Sequence, residues 1–420
     1  MKRAAMAIAA TAAWFAGGAA LAEESHCRRE ETGMRHISRT HDRLKLAKQR
    51  ECETLRQLDR KDIYSGWQGI KKSIDDRIGL SFSMDSSLTG QWGVPDGGAG
   101  SGQGLFTPFA TWSLFDHSPV GSGEIQFFYT YSKYISGRNA AMVQADLDLN
   151  TPINDFPTNS HSFAQLSYTH TLPGDWLAVT FGQFPIYNFD GNEYAANQQV
   201  NFINYSMGQN GSSTYPVASL GAYIQINPTK ELAIVGGFQD ANNVGGTGIH
   251  TSTFGDGEYT WFISGSWTPM LEGLGRSHIA FLYYNQPSVP LQPQATTGWS
   301  LNLAQAFGEK WGTFLRANGA SSGSAWNIRS SVALGGVRNN PLGRNTLDQI
   351  GLGIGFNQVN KALYPNQDVG GTETVIETYW TWTVINGLQI TPDVQMTLNP
   401  ALDPKSDVAA VFSLRVTASF

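Results

Sequence analysis

VFSLRVTASF (411–420) closes the sequence. Counting back from Phe420, every second residue is apolar or small (Ala418, Val416, Leu414, Phe412, Ala410 and Val408), whereas Ser419, Thr417, Arg415 and Ser413 fall between them. A period of two puts alternate side chains on opposite faces of a strand, here one apolar and one polar. Chain ends fray unless a sheet ties them down, so a strand this regular at the terminus is expected to close something. In a transmembrane barrel the last strand pairs with the first, because an open edge in lipid would leave backbone groups unsatisfied. A soluble sandwich can also end on a strand, and the rest of the sequence has to choose between them.

At the other end, Lys2 and Arg3 precede an apolar stretch and then Ala20-Leu21-Ala22. This is the three-part layout of a secretory signal peptide over residues 1–22, with the mature chain expected to begin at Glu23. Nothing after Ala22 approaches the roughly 18 apolar residues of a membrane-spanning helix. Charged residues make up 15% of the chain, with 46 Gly, 12 Trp, 15 Tyr and 22 Phe among 420 residues; soluble domains carry about 25% charge. Few charges with abundant aromatics suit an outer-membrane barrel, whose lipid face needs no charge and whose rims carry aromatic girdles. Thirteen of the 28 basic and nine of the 34 acidic residues lie in the first 63, so the remainder carries ten more acidic than basic side chains. That balance excludes a basic nucleic-acid surface.

Residues 23–65 are charged and lack proline, with Leu44, Ala47, Leu55 and Leu58 on a narrow helical stripe. The expectation is a short helical periplasmic segment, too thin to make a core of its own. It holds the only two cysteines, Cys27 and Cys52. An oxidising compartment favours a disulfide between them, which a single straight helix would hold apart. From about Asp76 the texture changes to short alternating runs broken by Gly, Pro, Asn and Asp. Fourteen are distinct, from IGLSFSMDSS to the terminal strand, and the count comes to roughly 16, the even number expected of a single-chain bacterial barrel. Asn386-Gly387 and Asn227-Pro228-Thr229 read as hairpin turns, and stretches near 91–104, 149–160, 187–215, 241–256 and 361–372 as loops. The predicted architecture is all-β, a transmembrane antiparallel β-barrel over 66–420.

Catalytic signals are absent. GGAGSGQG (97–104) lacks dinucleotide-loop spacing and reads as a surface loop. There is no G-x-S-x-G, and the downstream histidines form no H-x-x-x-H pair. No enzyme activity, cofactor or metal is called for. The richest polar stretch is GQFPIYNFDGNEYAANQQVNFINYSM (182–207). Amides and carboxylates hydrogen-bond sugar hydroxyls while aromatic faces cover pyranose C–H faces, and Asp190, Glu193, Tyr194, Asn197 and Asn201 offer both kinds of contact. The same composition also fits a polar loop held by its own hydrogen bonds. In ETYWTWTVINGLQITPDVQ (377–395), outward Trp380 and Trp382 would turn Glu377 inward; the next two strands then add Asp393 and Arg415 as inward charges.

This C-terminal block, with its terminal Phe, resembles the end of the carbohydrate-selective porin (OprB) family, and GQF…NFDGNEYA…NFIN is similar to that family's middle. The resemblance covers roughly residues 66–420. It implies a 16-stranded barrel in the bacterial outer membrane that passes sugars such as glucose by passive diffusion, surrounded by lipid and lipopolysaccharide. Folding by the barrel-assembly machinery and a monomeric or homotrimeric state are the accompanying expectations, with small carbohydrates as ligands and no nucleic acid. A polysaccharide-export or general diffusion barrel and a secreted carbohydrate-binding β protein stand as the alternatives.

Overall fold

The structure, a computed structural model, describes residues 63–420 except 96–97, 243–244 and 247. The expected signal peptide, most of the 23–65 segment and the Cys27–Cys52 disulfide lie outside these residues. The described chain opens with helix α1 (Ile63–Ile78), so the first strand begins at Leu80. Trp67 of α1 packs edge-on against Phe82, with ring centroids 6.1 Å apart.

Sixteen strands follow among the described residues. The first eight are β1 (Leu80–Val94), β2 (Ser101–Ser118), β3 (Gly121–Tyr134), β4 (Ser160–Thr171), β5 (Leu177–Phe184), β6 (Ser219–Ile226), β7 (Leu232–Asp240) and β8 (Tyr259–Trp267). The second eight are β9 (Gly275–Gln286), β10 (Thr296–Phe307), β11 (Trp311–Ala320), β12 (Ile328–Asn339), β13 (Gln349–Val359), β14 (Thr372–Ile385), β15 (Leu388–Leu398) and β16 (Val408–Ser419). A two-residue strand, Met270–Leu271, extends the turn between β8 and β9. Each strand pairs antiparallel with its neighbour, and β16 returns to β1 from Asp85↔Ser419 to Val94↔Ala410. The closed barrel excludes the secreted sandwich. The terminal residue completes the seam: the Phe420 N–H donates to the Met84 carbonyl at 2.9 Å, and Met84 N–H donates back at 3.1 Å.

Two strands escape the sequence reading, β2 and β10. Pro108 and a glycine-rich start disguise β2, and Ser101–Gly104 of the expected loop belong to it. Asn302 and Gln305 dilute β10. A third difference is helix α2 (Ala140–Asp146), capped by Asn139, inside a connection that runs over 135–159. The faces follow the expected phase. On β16, Phe412 and Leu414 are exposed, while Ser413, Arg415 and Thr417 are buried inside. On β14, Trp382 is exposed and Glu377, Tyr379 and Thr381 are buried.

Short turns join the strands at the end that holds Leu80 and Ser419, and long connections lie at the other. Short turns belong to the periplasmic side and long loops to the exterior. Asn386-Gly387 is one such turn, with Gly387 at φ +71°, a conformation that glycine adopts without strain. Exposed Trp176, Trp267, Trp311 and Trp382 ring the periplasmic end, and Trp92, Tyr131, Tyr259 and Trp299 the outer end. These are the two interfacial belts of a barrel in lipid.

Leu414 lies mid-strand and 45% exposed on the apolar face. Arginine at the midplane of a lipid face costs roughly 2–4 kcal/mol. Leu414→Arg should therefore lower the folded fraction, measured by heat-modifiable gel migration and urea unfolding in lipid. Thr417→Arg, on the inner face, should keep the barrel and disturb only what lies inside it. Equal loss of folded barrel in both variants would mean that the faces are assigned wrongly.

Candidate functional site

The connection between β5 and β6, residues 185–218, turns back into the barrel. A backbone that leaves water needs partners for every N–H and C=O, and this sequence supplies many of them itself. Asn192, Asn197, Asn204 and Asn210 each accept, through the side-chain carbonyl, the N–H two residues on, at 3.0–3.1 Å. These are Asx turns, the local alternative to a ladder. Much of the asparagine content of 182–207 thus serves the loop's own backbone.

The barrel wall supplies the rest. Glu377 accepts from the backbone N–H groups of Ile203 and Asn204, and Arg415 donates to the carbonyls of Gln198 and Asn201, the latter at 2.8 Å. Thr417 Oγ1 donates to the Gln199 carbonyl at 2.7 Å, and Asn204 Nδ2 to Gln395 Oε1 at 2.9 Å. Carboxyl oxygens thus face backbone donors and a guanidinium faces backbone acceptors, the latter the charge-assisted kind of bond. Asp393 is buried on the same inner face, opposite Ser413 in the ladder.

Asp190 makes a second anchor. Its carboxylate accepts from Ser300 Oγ, from Asn302 Nδ2 at 2.7 Å and from Tyr215 Oη at 3.1 Å. Burial and the nearby carboxylate raise the Tyr215 phenol well above its ordinary range, which keeps it a donor. Arg316, fully buried on β11, donates to the Asp190 carbonyl at 3.1 Å and to Asn302 Oδ1 at 2.8 Å. Aromatic packing completes the attachment: Phe189 stacks on Phe262 at 4.8 Å, and Phe202 meets Tyr379 at 4.9 Å.

Of the residues singled out in the sequence, Asp190, Glu377 and Arg415 therefore hold the loop to the wall. Asn201 does so as well, through Gln349 at 3.0 Å. Glu193 is placed differently. It pairs with Arg276 of β9, and the two side chains stay 23% and 34% exposed. Tyr194 sits beside it over Gly312, where a Cβ would come within 2.4 Å of the ring. Glu193 and Tyr194 are thus among the residues of the loop that remain only partly buried.

Sequence reading missed Arg276, Arg316 and a glycine floor. In QIGLGIGF (349–356), Gly353 and Gly355 face inward beneath the loop, and added Cβ atoms would lie 3.1 Å from Phe202 and 3.0 Å from Ser206. Glycine on every second position of an otherwise apolar strand is the signal of a close approach by other backbone. The 135–159 connection is also drawn in: Glu373 accepts the N–H groups of Asn150 and Ala401 at 2.7 and 2.8 Å, and Gln395 donates to the Ile153 carbonyl at 3.0 Å.

A closed barrel with two aromatic belts, narrowed by an inward loop, is the architecture of a porin, a channel of the bacterial outer membrane. The chain belongs to the carbohydrate-selective porin, OprB, family, whose model matches residues 133–284 and 272–420. It is similar to Porin AaxA of Chlamydia felis (strain Fe/C-56), 35% identical over 356 residues that span 83% of this chain and 79% of the relative. Porin AaxA of Chlamydia pneumoniae is likewise 35% identical, over 83% of this chain and 81% of its own. The high-pH structure of Pseudomonas putida OprB shares the fold, with a TM-score of 0.66 at 16% identity over 84% of this chain and 97% of that one.

Glu377→Ala removes the acceptor for two buried N–H groups, each of which then loses about 1–3 kcal/mol of compensation. The loop should come away from β14, raising open-channel conductance and current noise in planar bilayers while the heat-modifiable band persists. Gly353→Val, which fills the floor under Phe202, should do the same. Wild-type conductance in both variants would show that the loop does not depend on these anchors.

Proposed function

We propose that this porin lets small sugars such as glucose diffuse passively into the periplasm, and that Glu193, Arg276, Tyr194 and Asn197 form the sugar contacts at its narrowest part. The observation that carries this reading is the Glu193–Arg276 pair left water-accessible on a loop that is otherwise fixed to the wall. A 16-stranded barrel has an aqueous lumen too wide to select a monosaccharide, so an inward loop is required. Carboxylate and guanidinium together accept from and donate to hydroxyls, and the Tyr194 ring offers an apolar face. Membership of a carbohydrate-selective family supports the same ligand class. In this reading Asp190, Asn201, Glu377 and Arg415 act on sugar only by holding the loop, and Asp393 acts from the wall beside them. A channel needs binding strong enough to recruit the solute and weak enough to release it.

The test is sugar block of ion current in planar bilayers, titrated with glucose and a disaccharide. Replacing both partners, Glu193→Gln with Arg276→Gln, should raise the half-blocking glucose concentration at least about tenfold, the equivalent of ~1.5 kcal/mol for a hydrogen bond to a charged group. Open-channel conductance should change much less. Unchanged block with altered conductance would assign the pair to channel width and charge alone.

A further inference from the structure

The outer face carries two arginine–tryptophan stacks at the periplasmic rim, and they differ in one respect. Arg344 lies 4.0 Å from the Trp382 ring centroid, but its guanidinium also pairs with buried Asp348 at 2.7 Å, which neutralises it. Arg338 lies 5.2 Å from the Trp311 ring and, among the described residues, has no carboxylate within ion-pair distance. Trp311 is 51% exposed and Arg338 is exposed beside it. The turn before Trp311 adds exposed Lys310 and exposed Glu309, so the three charged groups of this rim sum to one positive charge.

The register continues the site into the membrane. Trp311 pairs with Arg338, Thr313 with Gly336, and Leu315 with Leu334. The five side chains of these pairs point outward and Gly336 has none, so the Thr313–Gly336 pair makes a notch between the bulky rim pair and the leucines. Much of this strip is left uncovered by the rest of the described chain, and it lies on the lipid face. A cation above an apolar slot at the level of the headgroups matches a lipid with a phosphate and acyl chains.

We propose that the outer face of β11 and β12 binds an anionic phospholipid of the periplasmic leaflet. Arg338 and Lys310 take the phosphate, Trp311 sits at the glycerol level and the Thr313–Gly336 notch takes an acyl chain. The contact with Trp311 restrains the Arg338 side chain, so less of its rotamer freedom is lost when the phosphate arrives. The second stack, with its charge cancelled by Asp348, serves as the internal control.

Native mass spectrometry of the full barrel in detergent, titrated with phosphatidylglycerol or with phosphatidylcholine, tests the site. Wild type should retain phosphatidylglycerol in preference to phosphatidylcholine. Arg338→Gln should lower phosphatidylglycerol occupancy about fivefold, the factor equivalent to ~1 kcal/mol per basic residue near an anionic surface. Lys310→Gln, in an exposed turn that tolerates change, should lower it in the same direction, and Arg344→Gln should leave it as it was. Glycerol phosphate, which lacks acyl chains, should give no adduct at the same concentration. Wild-type occupancy in both Arg338→Gln and Lys310→Gln, equal loss in Arg344→Gln, equal retention of phosphatidylcholine, or adducts with glycerol phosphate would each overturn the proposal. Heat-modifiable migration confirms that each variant is folded before it is compared.

Discussion

A backbone N–H or C=O cut off from water must find its partner within the protein, and this one constraint organises the chain twice. On the wall it forces closure: β16 returns to β1, and the ladder runs on until Phe420 exchanges its N–H and C=O with Met84. In the lumen it governs the 185–218 loop, which has no strand beside it to complete a ladder. There the partners are side chains. Asparagines satisfy the loop locally, and the Glu377 oxygens and the Arg415 guanidinium meet opposite ends of peptide units. The inward charges that a barrel's polar lumen permits thus become the attachment points of its constriction.

The wall was largely readable because a period of two survives wherever one face meets lipid. Leu414 against Arg415 and Trp382 against Thr381 carry the phase without help from the tertiary structure. β2 was hard to see because Gly102, Gly104 and Pro108 take lipid-side positions where apolar side chains would mark the period, and β10 because its alternation is weak. Proline removes one ladder donor, and a barrel strand tolerates that loss where the neighbouring residues keep their pairs. Helix α2 is too short for a periodic signal of its own.

The interior was readable in composition and not in role. A run of asparagines, carboxylates and tyrosines marks a polar loop, but the same groups serve a sugar or a buried backbone equally well. Which they serve depends on contacts more than 100 residues away, such as Asp190 with Asn302 and Ile203 with Glu377. Periodicity carries no such information. The one long-range signal available was the spaced glycine of QIGLGIGF, a strand stripped of side chains where a second layer of chain lies on it.

The division of labour inside the loop has a consequence for selectivity. Glu193 lies three residues after Asp190, whose carboxylate and carbonyl are both bonded to β10 and β11, and one residue before Tyr194, which rests on Gly312. The accessible pair is therefore held between a buried anchor on the wall and a ring packed against Gly312. A site built on such a support keeps its geometry when solute is absent, so little ordering has to accompany each binding event. Fast exchange and discrimination then draw on different residues: the anchors set where the carboxylate and guanidinium stand, and that pair sets how long a solute stays.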